Sequence, residues 1–203
     1  MKKIIALKVG ALQTNCYIVY SDSNAVVIDA GGDYEIIKKT LDNNSLACKY
    51  VLLTHAHWDH IGAVAKLQQD GAEVVLHEAE KEFPSNPDLS VAGFFGVSSE
   101  PFMPDILTKG GETLELCGMK FTVLHTPGHT GGSVCYILDD CIFSGDTLFY
   151  HAVGRTDFPT GDANALKNSV RNVLFKLEGD YTVYPGHDDK TSLEAEKKYN
   201  PYV

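Results

Sequence analysis

Three of the chain's eight histidines fall within Thr54-His55-Ala56-His57-Trp58-Asp59-His60, directly after an apolar run at 50–53 of the kind that forms a strand. That density points to metal-ligand chemistry. In extended chain, side chains at i and i+2 share a side, so His55 and His57 can address one ion while a turn redirects Asp59 and His60 toward another. One ion would be strained to take all four. Neutral imidazole suits zinc, iron, manganese or copper, and catalytic zinc keeps three protein ligands and an open position.

Three further candidates follow strand-like runs through tight turns. His129 sits in Thr126-Pro127-Gly128-His129-Thr130, Asp146 follows Ser144-Gly145, and His187 follows Tyr184-Pro185-Gly186. Glycine in such turns frees the backbone to aim the next side chain. Four strand ends thus deliver ligands, and open sheets place functional sites at strand ends.

The elements that must position these residues follow from periodicity. Strands are expected at 4–9, 16–20, 26–29 and 50–54, a helix at 34–42, a second helix at 63–69 and a strand at 73–77. From 83 to 105, Pro84, Pro87, Pro101 and Pro104 with Phe94, Phe95 and Phe102 suit a long ordered loop, either a substrate lid or a segment pinned to the core. Strands are expected again at 113–116, 120–125, 133–138, 141–144 and 181–184. Before the last of these, Asp162 caps a helix whose Leu166, Val170, Val173, Leu174 and Leu177 share one face. No repeat, linker or composition shift interrupts the chain, so residues 1–203 are expected to form a single domain.

The composition, 44% hydrophobic with a formal charge of −10, supports a real core and makes nucleic acid and anionic membrane poor partners. The N-terminal run Lys2-Lys3-Ile4-Ile5-Ala6-Leu7 is cut by Lys8 and Gly10, far short of a signal core. Five cysteines without a C-x-x-C pair argue for reduced thiols, Cys135 and Cys141 as inert core residues, and a cytoplasmic location. His77-Glu78 lacks the second histidine of a zincin motif because Lys81 stands there; His77 and His125 are expected to be structural.

Five motifs in order resemble metallo-β-lactamase-fold hydrolases, and within them the short glyoxalase II-like (hydroxyacylglutathione hydrolase-like) branch. They are Asp29-Ala30-Gly31, the stretch from Thr54 to His60, Thr126-Pro127-Gly128-His129-Thr130, Ser144-Gly145-Asp146-Thr147 and Pro185-Gly186-His187. Gly154-Arg155-Thr156-Asp157-Phe158-Pro159 and Asn200-Pro201-Tyr202 are similar to segments of the same branch. The resemblance implies an α+β fold, a four-layer αββα sandwich, and two divalent metal ions, zinc first, with iron or manganese as alternatives. It implies that His55, His57 and His129 hold one ion, that Asp59, His60 and His187 hold the other, and that Asp146 bridges them. Asp29 and Thr54 would support the ligands from behind. Full-length glyoxalase II enzymes carry a helical C-terminal domain that binds glutathione, for which no counterpart is expected in residues 1–203. Short relatives commonly have Gly-Pro after the last histidine where this chain has Asp188-Asp189.

Two divalent ions, less Asp59, Asp146 and a bridging hydroxide, leave a net charge of about +1. The expected reaction is attack of that hydroxide on a carbonyl, with Asp59 orienting the nucleophile. A site without an evident general-acid histidine suits a thiolate leaving group, hence a small-molecule thioester such as S-lactoylglutathione. Arg155 either clamps a substrate carboxylate or pairs with Asp157, and His151 either lines the pocket or lies on the surface. The competing activities are a single-iron persulfide dioxygenase and hydrolysis of another ester or a lactone. A flavodiiron reading is opposed by His57, where glutamate is typical. β-Lactam hydrolysis is opposed by the bridging role implied for Asp146 and the absence of an export signal. The oligomeric state leaves no signal in the sequence.

Overall fold

The computed structural model describes residues 2–203, and most of its central strands are buried on both faces. In chain order come β1 (Lys3–Val9), β2 (Thr14–Tyr20), β3 (Asn24–Ile28), α1 (Tyr34–Asn43), β4 (Ala47–Leu52), α2 (Trp58–Ile61), α3 (Val64–Gln69) and β5 (Glu73–His77). Two 3₁₀ turns, Glu78–Glu80 and Phe83–Ser85, and the single-turn α4 (Ala92–Phe95) lead to β6 (Ile106–Thr108). The second half holds β7 (Thr113–Leu116), β8 (Met119–His125), β9 (Val134–Leu138), β10 (Cys141–Gly145) and a two-stranded ribbon of β11 (Leu148–Phe149) and β12 (Ala152–Val153). It ends with α5 (Ala163–Asn168), β13 (Thr182–Pro185), β14 (Thr191–Ser192) and α6 (Leu193–Tyr199).

Two six-stranded sheets result, ordered β1-β2-β3-β4-β5-β6 and β14-β13-β10-β9-β8-β7. Hairpin-like neighbours β1, β2 and β3 pair antiparallel, whereas β3, β4 and β5 pair parallel. Parallel pairing needs crossovers, and α1 and α3 supply two of them. In β3, Val26 and Ile28 point into the core between the sheets with Tyr136 and Phe143, while Ala25 and Val27 point to the opposite face, where Ile37 and Leu41 of α1 and Leu67 of α3 pack. β9 and β10 behave likewise: Cys135 and Ile142 turn outward to a third core with Val170, Leu174 and Leu193. Three cores between four layers are the αββα sandwich that the motifs implied. No helix among the described residues is long and apolar enough to cross a membrane.

The helix expected after Asp162 forms but does not continue. The Asp162 carboxylate accepts the amides of Asn164 and Ala165 as an N-cap, yet regular α-helix stops at Asn168 and gives way to a π turn, Ser169–Val173, and a 3₁₀ turn, Leu174–Lys176. Leu166, Val170 and Leu174 stay buried throughout. In the 83–105 segment the three phenylalanines part company. Phe102 is buried in the helix-side core, whereas Phe94 and Phe95 are 68% and 49% exposed.

Candidate metal centre

The site lies where β3, β4, β8, β10 and β13 end, and Asp29 begins it. This residue follows β3 at φ 53°, a left-handed conformation that costs a non-glycine residue energy and marks a position set by its surroundings. Its carboxylate accepts both the amide (2.8 Å) and the hydroxyl (2.7 Å) of Thr54. Because that hydroxyl donates to Asp29, its oxygen accepts from His55 Nδ1 at 3.2 Å, which leaves Nε2 as the lone-pair nitrogen of His55. Asp29 Oδ2 also stands 3.0 Å from His60 Nδ1.

His129 is oriented in the same fashion. Its Nδ1 lies 2.7 Å from the carbonyl oxygen of Arg155, which can only accept, so the ring donates there and presents Nε2 inward. Gly128 makes this turn possible: at φ 141° it lies so close to α5 that a Cβ would meet the Leu166 amide at 2.2 Å. Gly186, before His187, is equally constrained, since a Cβ there would meet Asp146 Oδ1 at 2.3 Å.

The seven expected ligands converge. His55, His57 and His129 form one group, and Asp59, His60 and His187 another, each with one ligand atom per residue within 4.8 Å of the rest. His57 Nδ1 and His129 Nε2 are 2.9 Å apart. Asp146 lies between the groups, with Oδ2 3.5 Å from His129 Nε2 and 3.7 Å from His187 Nε2, and Oδ1 3.4 Å from His60 Nε2. Asp59 Oδ2 is 3.2 Å from His187 Nε2 and accepts the Thr14 hydroxyl at 3.2 Å.

Divalent metal ions fit this donor set. The lone-pair nitrogen His55 Nε2 and the carboxylate oxygen Asp146 Oδ1 are buried without a hydrogen-bond partner, which is costly unless something electropositive satisfies them. Burial and the neighbouring His60 and His129 rings hold His55 well below the usual imidazole range; burial and His129 bring His57 down to about 3, and burial lowers His129. All three are therefore neutral, the form that binds metal. On the other side, burial opposes ionisation of Asp146, but His60 and His129 outweigh it and hold the carboxyl well below its ordinary value. Asp59 is lowered as well, His60 and His187 overcoming burial. His60 and His187 are raised against burial, His60 by Asp146 and Asp59, His187 by its bond to Asp59. Ionised carboxylates beside one neutral trio of rings make a donor set for cations.

The cluster floors a cavity of about 310 Å³ whose walls are Leu12, Trp58, Val91, Phe95, Phe149 and Phe158, with Arg155 at its edge. Arg155 faces its own neighbour, its Nε and a terminal nitrogen each 2.6 Å from an Asp157 oxygen. Of the two readings of His151, pocket lining does not hold, since it is not among the cavity's lining residues. At φ 53° in the turn of the β11–β12 ribbon, its amide donates to Glu196 of α6 and its ring packs against Tyr199. Asp188 and Asp189 are also displaced from the metal cluster, lining a separate depression with Lys8 and Tyr17. His77 and His125 stack on each other at 4.4 Å, away from the ligand groups, as structural residues.

Glu80 carried no signal in the sequence. It is fully buried, and its carboxylate accepts the amide of Ala56, between His55 and His57, and the hydroxyl of Thr130, next to His129. It ties together the two chain segments that present the neutral trio.

A sandwich of this topology with a His/Asp cluster at its strand ends defines a class, and the chain belongs to the Metallo-beta-lactamase superfamily, whose profile matches residues 9–187. Hydroxyacylglutathione hydrolase GloC of Haemophilus influenzae is 38% identical over 205 residues, covering 97% of this chain and 96% of that protein. Among solved structures, BLEG-1 B3 metallo-beta-lactamase superposes with a TM-score of 0.90 at 36% identity, over 100% of this chain and 99% of that one. TTHA1623, solved in a di-iron-bound form, superposes with a TM-score of 0.88 at 35% identity, over 98% and 100%.

Proposed function

We propose that this metal-dependent hydrolase cleaves thioesters at a two-ion centre, with zinc as the working metal. The observation that carries the reading is the position of Asp146 between two His-containing groups at the floor of one cavity. When bound, divalent ions at such a centre supply a Lewis acid for a carbonyl oxygen and a water of lowered pKa. His55, His57 and His129 would hold one ion and Asp59, His60 and His187 the other, with Asp146 placed to serve both.

The remaining chemistry belongs to the chain. The lining residues include no serine, cysteine, lysine or tyrosine, so attack by water is favoured over a protein nucleophile. Asp59, ionised and held by Thr14 and His187, orients that water toward the carbonyl carbon. A carbon–oxygen bond forms, the carbon–sulfur bond breaks, and the products are a carboxylate, a thiol and one released proton. A thiolate leaves without a general acid, which agrees with walls that offer no proton donor of suitable pKa other than the ligands themselves. The relation to hydroxyacylglutathione hydrolase GloC supports this reading.

β-Lactam hydrolysis is the second reading, favoured by the similarity to BLEG-1. Zinc-loaded protein assayed in parallel on S-lactoylglutathione and other thioesters, a chromogenic β-lactam and a lactone decides between them. Preferred thioester turnover supports the proposal; β-lactam turnover without thioester turnover, or oxygen uptake on a persulfide by an iron-loaded form alone, would sink it.

A further inference from the structure

The cavity walls above the ligands are aromatic, and they continue outward without a break. Phe158 stands edge-on to the His57 ring at 5.9 Å and reaches Phe94 at 6.0 Å and Phe95 at 6.2 Å, and Phe95 in turn contacts Trp58 at 5.5 Å. Leu12, 46% exposed, adds to the apolar lining. Exposed aromatic and aliphatic side chains joined to a reaction centre are costly in water unless a ligand covers them.

The one basic side chain at this mouth is already engaged. The Arg155 guanidinium makes two hydrogen bonds to Asp157 and lies 4.0 Å over the Phe158 ring, so its fork and its face are both occupied. A substrate carboxylate would have to displace Asp157 to reach it. A charged, strongly hydrated thiol such as glutathione therefore gains little here by entering, and stays largely in solvent. The part of the substrate that gains from entering is an apolar group attached to the carbonyl.

We propose that this mouth is an acyl-group pocket, selecting thioesters of hydrophobic, preferably aryl-bearing carboxylic acids over those of small polar hydroxy acids, with little recognition of the thiol. The proposal rests on the thioester reading above and narrows it. Phe95 and Phe158 act as specificity residues, covering the acyl group while the carbonyl reaches the ligand cluster.

The test uses zinc-loaded protein and three substrates: S-lactoylglutathione, S-mandeloylglutathione, in which phenyl replaces the lactoyl methyl, and the mandeloyl thioester of N-acetylcysteamine, which lacks the charges of glutathione. The mandeloyl compound should exceed the lactoyl compound in kcat/KM by on the order of tenfold. Changing the thiol should alter kcat/KM by less than about threefold. Phe95→Ala, at an exposed position where folding is not at stake, should lower mandeloyl kcat/KM chiefly by raising KM and so narrow the ratio. A mandeloyl-to-lactoyl ratio at or below about three, or a loss above about threefold on removing glutathione, overturns the acyl pocket while leaving the thioester reading intact. Absence of turnover on all three substrates overturns both.

Discussion

The Glu80 carboxylate accepts the amide of Ala56, the residue that separates His55 from His57, and does so in complete burial. The same carboxylate accepts the Thr130 hydroxyl, and Gly132 is glycine where a Cβ would meet Glu80 Cγ at 2.5 Å. Removing the carboxylate strands buried donors, each costing about 1–3 kcal/mol. Glu80→Ala should therefore lower unfolding free energy measurably in denaturant titrations and weaken zinc binding, read by chelator competition, by roughly 10–100-fold.

Glu80 also sets a pH dependence. Burial pushes its carboxyl up to about 7, from 4.5 in the unfolded chain, although Thr130 and Ala56 oppose the shift. For an acid raised on folding, the native state holds the proton longer than the unfolded one. Stability from this group is thus complete below the unfolded value and falls as pH rises toward 7, by about 3 kcal/mol in all. Glu80→Gln should remove that dependence: in metal-free protein, variant minus wild-type stability should shift toward the variant between about pH 5 and pH 8.

Thr54 is a hydroxyl with two tasks, donating to Asp29 and accepting from His55. Thr54→Val keeps the shape and removes both bonds. It should cost about 1–3 kcal/mol of stability and loosen zinc by roughly tenfold or more, seen as a lower chelator concentration for half-removal. Thr54→Ser should restore most of the zinc affinity.

Asp157 occupies Arg155 at an exposed position. Asp157→Asn should free the guanidinium for an anionic substrate and lower KM for glutathione thioesters by about threefold, the scale of an exposed ion pair. Steady-state kinetics at low and high salt check this, because salt should erase the gain.

The ligands were legible because each follows a strand through a short turn, so local spacing alone brings His55, His57, Asp59 and His60 together. The layers were legible through the family resemblance rather than through periodicity, because Val26, Val27 and Ile28 are all apolar and all buried, so residue type does not say which of them faces which layer. Glu80 was not legible, since its partners lie 24 and 50 residues away in sequence. Neither were β6 or the β11–β12 ribbon, which are too short to establish a period. The π turn at Ser169–Val173 escaped because Leu166, Val170 and Leu174 keep helical spacing across it. The two readings of His151 could not be separated from the sequence because its backbone turn, rather than its position in the chain, decides what it meets.

The most direct test of the central claim is elemental analysis of purified protein beside the Asp146→Ala variant, with thioester turnover measured on the same samples. The two-ion account predicts about two ions per chain and turnover in the wild type, and loss of metal together with near-complete loss of turnover in the variant. An Asp146→Ala protein that keeps the full metal content and activity of the wild type would contradict it.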